Sequence, residues 1–124
     1  MRFMIMHKLD ENDPEAFAPS PELIGRMSVF MREAAQAGVL LAAEGLRPSS
    51  TGAARITVSD GKRTVIDGPF TETKELIAGF TIVQVPSKEE AVEWGWRFAD
   101  IFGDIEVDVR QVTEMSDFDP APPA

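Results

Sequence analysis

The chain contains no cysteine, only one histidine and few basic residues, and each scarcity excludes a class of protein. Without cysteine there are no structural disulfides and no zinc sites with cysteine ligands, and the composition fits a reducing cytoplasm. Twelve Lys and Arg against 21 Asp and Glu give a net charge of −9. Such a surface repels phosphate backbones, so direct binding of nucleic acid is not expected. One histidine and scattered acids match no metal-ligand spacing, so no metal site is predicted.

Long hydrophobic runs are also missing. No stretch approaches the roughly 20 apolar residues that a membrane span needs. The apolar run within the first ten residues is too short for the hydrophobic region of a signal peptide. The sequence therefore predicts a cytoplasmic protein without a membrane segment. It contains no Gly-rich phosphate loop and no Gly-x-Ser-x-Gly elbow, and no cofactor is expected.

The length, 124 residues, suits one domain that can bury a core without disulfides or metals. We expect this domain to occupy residues 1–114. Residues 115–124 carry several prolines and acids, which favours a flexible, acidic, Pro-rich tail.

Two helices are predicted from their caps and apolar stripes. Ser20 before Pro21 is typical of a helix start, so the first helix should span residues 21–37. Ser87 with Glu90 three residues later forms a capping box, and the second helix should span residues 88–102. Apolar residues recur at helical spacing in both segments, which gives each helix one face to bury.

The remaining apolar segments read as strands: residues 2–8, 39–46, 77–85 and 105–112, with a hairpin over residues 55–67. The pair Asp60-Gly61 at its centre favours a tight turn, because both turn positions need positive φ. That turn places Ile56 opposite Val65. We also predict that Ile56, Val58, Val65 and Asp67 share one face of the hairpin.

This order of elements predicts an α+β protein, a ferredoxin-like sandwich with an extra hairpin. Two helices can cover only one face of the sheet, yet the inner strands carry apolar residues on both faces. The uncovered face would carry Met4, Met6, Phe80 and Ile82 or their alternating neighbours. A second copy packed sheet to sheet would cover it, so a homodimer is expected.

A nine-residue motif in the middle of the chain resembles the signature of the DGPF family, a branch of the YCII-related proteins. The N-terminal Met-Arg-Phe-Met, the segment from Gly45 to Ser49 and the pair Gly79-Phe80 are similar to the same family. The motif reads Asp67-Gly68-Pro69-Phe70-Thr71-Glu72-Thr73-Lys74-Glu75. The resemblance runs over roughly residues 1–114. It implies a dimeric α+β barrel made of two ferredoxin-like units, and it implies no settled activity.

The sole histidine, His7, and Asp67 at the start of the motif are the candidate catalytic residues. Histidine titrates near neutral pH and is the usual general acid or base. Related YCII proteins carry a His and an Asp proposed as a catalytic pair, and the resemblance implies this role for His7 and Asp67. The alternatives are a histidine packed in or at the rim of the core and an aspartate that shapes a Gly-Pro turn.

Candidate ligand-binding residues cluster in and near the motif. Glu72 and Lys74 could line the mouth of a pocket, and Arg47 could grip an anionic group. Phe70 is also a candidate, although a plug that packs the loop onto the core is the simpler interpretation. Weak ion pairs on a solvated loop are the alternative for the charged residues.

Two functional classes follow from these residues. The leading hypothesis is a small-molecule-binding protein, and if it is an enzyme, its chemistry is acid–base catalysis without a cofactor, with His7 as base and Asp67 as its orienting partner. The other is a non-catalytic regulatory or interaction module, because some members of the family are encoded beside, or fused to, alternative sigma factors. A dimeric scaffold with a purely structural motif is a third interpretation.

Overall fold

The computed structural model describes residues 1–13, 15–73 and 75–118. Within them, strands and helices follow in the predicted order, and a short 3-10 helix, Met115–Phe118, follows the last strand. The elements are β1 (Arg2–Leu9), α1 (Pro21–Gln36), β2 (Leu40–Gly45), β3 (Ala54–Ser59), β4 (Lys62–Asp67), β5 (Leu76–Gln84), α2 (Lys88–Phe102) and β6 (Glu106–Gln111).

The main sheet has four strands in the order β2-β5-β1-β6, and every neighbouring pair is antiparallel. Strands β5 and β1 are therefore the inner ones, as their apolar sequences predict. The predicted α+β class, with antiparallel sheets and two helices, is confirmed. The strand order is compatible with a ferredoxin-like fold, with β3 and β4 inserted between the second and third strands of that pattern.

Both helices begin at their predicted caps. The Ser20 hydroxyl accepts a hydrogen bond from the Leu23 amide at 3.1 Å, and the Ser87 hydroxyl accepts one from the Glu90 amide at 3.2 Å. Each bond satisfies an amide that the helix itself leaves unpaired. α2 has the predicted bounds, and α1 ends one residue before the predicted Ala37.

The core lies between the helices and one face of the sheet. Aromatic and aliphatic side chains alternate into it from the inner strands and from one stripe of each helix. Trp94 packs edge-on against Phe30, with ring centroids 6.0 Å apart, whereas Trp96 is exposed, as two residues this close on a helix must diverge. The buried core residues are Phe3, Ile5, Phe30, Val83, Val85, Ala91, Phe98 and Ile101.

The opposite face of the sheet carries no helix from the described part of the chain. Met4, Met6, Phe80 and Ile82 point there and are half-buried in the single chain. Lys8 on the same face forms salt bridges with Glu106 and Asp108. This face thus has an apolar centre and a charged flank.

The hairpin β3–β4 projects from the main sheet as a separate two-stranded sheet. Its register is the predicted one, with Ile56 opposite Val65, and Asp60 and Gly61 both have positive φ. Ile56 is 72% exposed and Val58 and Val65 are each 64% exposed. An isolated two-stranded hairpin is marginally stable in water, so a further contact would stabilise the hairpin β3–β4.

The C-terminal end of the described chain is anchored to β1. Arg2 donates two hydrogen bonds to the Glu114 carboxylate, at 2.7 and 3.0 Å. Residues 119–124 lie outside the described residues, and the predicted flexibility of 115–124 stays a prediction. In the portion of the chain that the structure describes, neither helix has the length and hydrophobicity to cross a membrane.

Candidate functional site

His7 is buried on the helix-covered face of β1, with 7% of its surface exposed. Its ring stacks on Phe102, with centroids 5.2 Å apart, and tilts against Phe98 at 5.1 Å. The Nδ1 atom is buried without a hydrogen-bond partner among the described residues. Burial lowers the pKa of the imidazole below its ordinary value of 6.5, because the apolar surroundings disfavour the charged form. His7 is therefore neutral at neutral pH.

A cavity of about 210 Å³ opens beside the His7 ring. Met27 and Met31 of α1 and Phe98 of α2 line it from the helix side, and Thr81 lines it from the sheet. The lining is thus mostly apolar, with a few polar groups, which is the usual character of a small-molecule site. The remaining lining residues are Ala43, Glu44, Gly45 and Phe80.

Gly79 makes room for the His7 ring. The two residues are register partners on neighbouring strands, and a Cβ at position 79 would lie 2.6 Å from His7 Cε1 and 2.8 Å from the Glu44 carbonyl oxygen. Both distances are shorter than side chains tolerate. The ring therefore occupies the space that a side chain at position 79 would fill.

The loop after β4 is held to the body of the protein by Ser49 and Glu11. Ser49 is buried, and both its amide and its hydroxyl donate to the Glu11 carboxylate. The same hydroxyl accepts a hydrogen bond from the Phe70 amide at 2.9 Å. Gly68 approaches the Ser49 backbone closely, and its peptide bond to Pro69 is cis. Much of this loop is thus fixed by packing.

Asp67 and Glu72 lie on the exposed side of this loop. Asp67 is the last residue of β4, opposite Ala54, and is exposed to solvent. Glu72 forms a salt bridge with Arg55, whose guanidinium carbon also lies 4.3 Å from the centre of the Phe70 ring. The Arg55 side chain thus links two of the predicted ligand residues to each other.

A second, more open groove of about 580 Å³ lies beside the loop. Arg47 and Phe70 both line it, together with Glu75 and an apolar floor that includes Leu76 and Ile77. The structure thus brings together two of the four predicted ligand residues, Arg47 and Phe70. Lys74, the fourth, lies outside the described residues.

Comparison with known proteins places these features in a family. A family model for the YCII-related domain matches residues 1–116, which is nearly the whole chain. The chain belongs to the YCII-related family. It is also similar to an uncharacterized protein of Rhizobium meliloti (strain 1021), with 31% identity over 96 residues, or 76% of this chain and 77% of the relative.

Within this YCII-related chain, His7 and Asp67 occupy different surroundings. His7 lines the cavity beside its ring, whereas Asp67 lies at the base of the projecting hairpin. Because Nδ1 of His7 has no partner among the described residues, Asp67 does not orient it within one chain in this conformation. The functional pairing of His7 with Asp67 stays a prediction.

Three residues of the site were not found by sequence reasoning: Gly79, Thr81 and Glu11. The sequence around Gly79 and Thr81 reads as an apolar central strand. The resemblance of the pair Gly79-Phe80 to the family was the one clue to Gly79, and Thr81 has no local signal of function. Glu11 lies 38 residues from Ser49 along the chain, so only the fold brings them together. The resemblance of the segment from Gly45 to Ser49 to the YCII-related family was the one available clue to Ser49.

Replacing Ser49 by alanine should weaken the YCII-related domain by about 1–3 kcal/mol, because Glu11 and the Phe70 amide each lose a partner in a poorly hydrated place. Ser50→Ala is the matched control, since Ser50 is exposed, and it should change the free energy of unfolding by less than about 0.5 kcal/mol. Urea denaturation of the two variants measures the difference. Equal stability of both would contradict the role assigned to Ser49.

The lowered pKa of His7 predicts a loss of stability on acidification. Below pH about 6.5 the unfolded chain takes up a proton at His7 while the folded chain does not, so the folded state weakens as the pH falls toward the folded-state pKa. The slope from this one group is at most about 1.4 kcal/mol per pH unit. Above pH about 6.5 the slope fades, because the unfolded histidine also becomes neutral.

Urea denaturation at pH 7.5 and 5.5 tests this, with His7→Phe as the reference that lacks the titrating group. The wild type should lose more stability than His7→Phe between the two pH values, and the carboxylates titrate equally in both proteins. An equal loss in the two proteins would show that burial does not depress the pKa of His7. The single histidine also allows a direct NMR titration without assignment.

Proposed function

We propose that this chain is a small-molecule-binding protein whose ligand enters the cavity beside His7. The observation that carries the proposal is a buried, neutral histidine at a mostly apolar cavity of about 210 Å³, with a nitrogen that has no partner among the described residues. Native proteins pair most of their buried polar atoms, so such an atom calls for a functional explanation. Nδ1 is closed to water in this conformation, so a ligand or a bound water supplies that explanation once the side chains around the ring move.

His7 is also the group through which the site would act as an enzyme. A neutral imidazole can accept a proton from a bound molecule and return it at another atom, which is the chemistry of an elimination or an isomerisation. Its pKa is lowered by burial, so the base form is available at neutral pH. We propose acid–base catalysis of this kind, with Asp67 as the orienting carboxylate of the pair implied by the family once it approaches His7, since the two do not pair within one chain in this conformation.

The pairing of His7 with Asp67 has a test of its own. A carboxylate next to an imidazole stabilises the protonated form and raises its pKa, which opposes the effect of burial. Asp67→Asn should therefore lower the pKa of His7 in an NMR titration if the two groups pair in solution. An unchanged titration curve would exclude the pair and leave His7 to act alone.

A ligand screen tests the proposed small-molecule function. Compounds are ranked by the rise in melting temperature of the wild type and then measured with His7→Ala and with Arg47→Ala. Ligands of the proposed site should lose their effect in His7→Ala and keep it in Arg47→Ala, because Arg47 lines the separate groove beside the loop. The opposite pattern would move the binding site to that groove.

We also propose that the chain forms a homodimer, sheet to sheet, as a dimeric α+β barrel. An apolar centre on the sheet face that the described helices leave uncovered supports this proposal. It consists of Met4, Met6, Phe80 and Ile82. A two-fold axis would pair this centre with itself. Sedimentation at micromolar concentration should give twice the chain mass, and Met6→Lys should give the monomer. A monomeric wild type would refute the dimer.

The projecting hairpin favours a second candidate function, that of a non-catalytic interaction module. Ile56, Val58 and Val65 form an apolar stripe on an arm that carries a net charge of about +1 within an acidic chain. The partner implied by the family is an alternative sigma factor. Co-sedimentation with a sigma factor of the source organism should be lost in Ile56→Lys and kept in Thr57→Lys, which changes the other face. No association of the wild type would contradict it.

A further inference from the structure

We infer that the cavity beside His7 takes an uncharged alcohol or phenol of about one ring in size, whose hydroxyl group is held between His7 and Thr81. This inference rests on the proposed small-molecule function and names the ligand class for that site. It adds Thr81 as the second polar group of the site. It is carried by the position of Thr81, the volume and lining of the cavity, and the distribution of charge around it.

Thr81 is the polar neighbour of His7 on the helix-covered face of the sheet. It is 1% exposed and lines the same cavity. On the ladder between β1 and β5, His7 pairs with Gly79 and Ile5 pairs with Thr81, so His7 and Thr81 are diagonal neighbours. Such residues have Cβ atoms about 7–8 Å apart or somewhat less, which leaves room for one hydroxyl group between their polar atoms.

The other buried hydroxyl among the described residues makes a useful contrast. Ser49 donates to Glu11 and accepts from the Phe70 amide, and it acts within the loop. Thr81 instead lines the cavity from the middle of an apolar strand. A hydroxyl at that position is explained if it binds something in the cavity.

The size of the cavity limits the ligand. Apolar cavities of about 150 Å³ in proteins accept benzene. At about 210 Å³, the cavity beside His7 accommodates a single ring with a small substituent. Met27, Met31 and Phe98 supply apolar surface and flexible side chains that can adapt to a ring.

The charges at the site select against anions. His7 is neutral at neutral pH, Thr81 is uncharged, and Glu44 is the one charged residue among the described residues that line the cavity. The chain as a whole carries −9. A carboxylate or phosphate would therefore enter without a cationic partner, and burying an unpaired charge is costly.

The hydroxyl of a neutral ligand satisfies both polar groups at once. Neutral imidazole has one acceptor nitrogen and one N–H, and a ligand hydroxyl can donate to the former while it accepts from the Thr81 hydroxyl. No proton is transferred in this arrangement. It is a binding geometry from which His7 could later remove the proton.

The test follows the imidazole signals of the sole histidine by NMR while the wild-type protein is titrated at pH 7.5 with phenol, cyclohexanol, benzene or benzoate. We expect phenol and cyclohexanol to shift these signals at concentrations about tenfold lower than benzene does. A tenfold difference in affinity corresponds to the free energy of one well-placed hydrogen bond. Benzoate should not compete. Benzoate binding as tightly as phenol, or benzene binding equally well, would overturn the inference.

Variants assign the effect to Thr81. Thr81→Val preserves the shape and should weaken phenol about tenfold while leaving benzene unchanged, and Thr81→Ser should restore phenol binding. Thr57→Val on the exposed hairpin is the matched control and should change neither. Undiminished phenol binding in Thr81→Val would overturn the role of Thr81.

The outcomes also separate this inference from the proposed function. If other compounds from the thermal screen shift the His7 signals but phenol and cyclohexanol do not, the ligand class is wrong and the site stands. If no compound of either experiment perturbs His7, the proposed function fails, and this inference fails with it. Circular dichroism of each variant confirms that a loss of binding is not a loss of fold.

Discussion

Replacing Gly68 by alanine is expected to cause the largest loss of stability of any single methyl group added to this chain. A Cβ at this position would overlap the Ser49 carbonyl oxygen and would lie 2.8 Å from the Ser49 carbonyl carbon. Both are backbone atoms, so no side-chain rotation relieves the contact. Either the loop or the Ser49 segment must move.

That movement breaks the contacts that hold the loop. The Phe70 amide would leave the Ser49 hydroxyl, and the bonds from Ser49 to Glu11 would be strained with it. Overpacking usually costs about 1–3 kcal/mol and occasionally more, and we expect Gly68→Ala to fall at or above about 3 kcal/mol. Urea denaturation measures this directly.

Gly25→Ala is the control for Gly68→Ala. Gly25 lies inside α1, and a Cβ there would meet nothing within 4 Å. Alanine is the better helix former, so this variant should gain about 0.5–1 kcal/mol. If Gly68→Ala were as stable as the wild type, the close approach of the loop to Ser49 would not exist in solution, and the loop would be free to serve a ligand.

The parts of the fold that sequence reasoning predicts are those governed by local chemistry. Ser20 with Pro21, Ser87 with Glu90 and the turn at Asp60 each determine the conformation of a few neighbouring residues, whatever the rest of the chain does. The helix starts and the hairpin register are therefore confirmed residue by residue. The bounds of the strands shift by a residue or so, because strand ends depend on their partners.

The candidate site was predictable only in part, since it depends on contacts between distant segments. His7 was found because it is the sole histidine and shares a face with Phe3 and Ile5. Its cavity depends on Gly79 and Thr81, which reach it only through the pairing of β1 with β5. The sequence shows a glycine at position 79, but it does not show which side chain fills the space beside it. A single threonine in an apolar strand does not by itself indicate a functional residue.

The motif after β4 shows that a recognisable sequence motif does not by itself identify catalytic or ligand-binding residues. Gly68 and Phe70 are explained by their contacts with Ser49, and Glu72 by its salt bridge with Arg55. These are packing roles, and they favour the structural interpretation of much of the motif. The groove lined by Arg47 and Phe70 is what the packing leaves open beside it.

Replacing Gly79 by alanine should close the site at His7, and it is the second large effect that we predict. The added methyl group would lie 2.6 Å from His7 Cε1 and 2.8 Å from the Glu44 carbonyl oxygen. The His7 ring cannot swing away freely, because it packs against Phe98 and Phe102. The backbone of β2 cannot rotate either, so one of the two neighbours must be displaced.

We expect Gly79→Ala to cost about 1–3 kcal/mol of stability and to shift the NMR signals of the histidine ring even without a ligand. Ligand binding in the cavity should be lost, since the methyl group and the displaced ring take its space. Gly45→Ala is the matched control, because Gly45 is the register partner of Gly79 on β2 and a Cβ there would meet nothing within 4 Å. That variant should keep the wild-type stability and histidine signals. If the two alanine variants had the same stability and the same histidine signals, the His7 ring would not lie over Gly79.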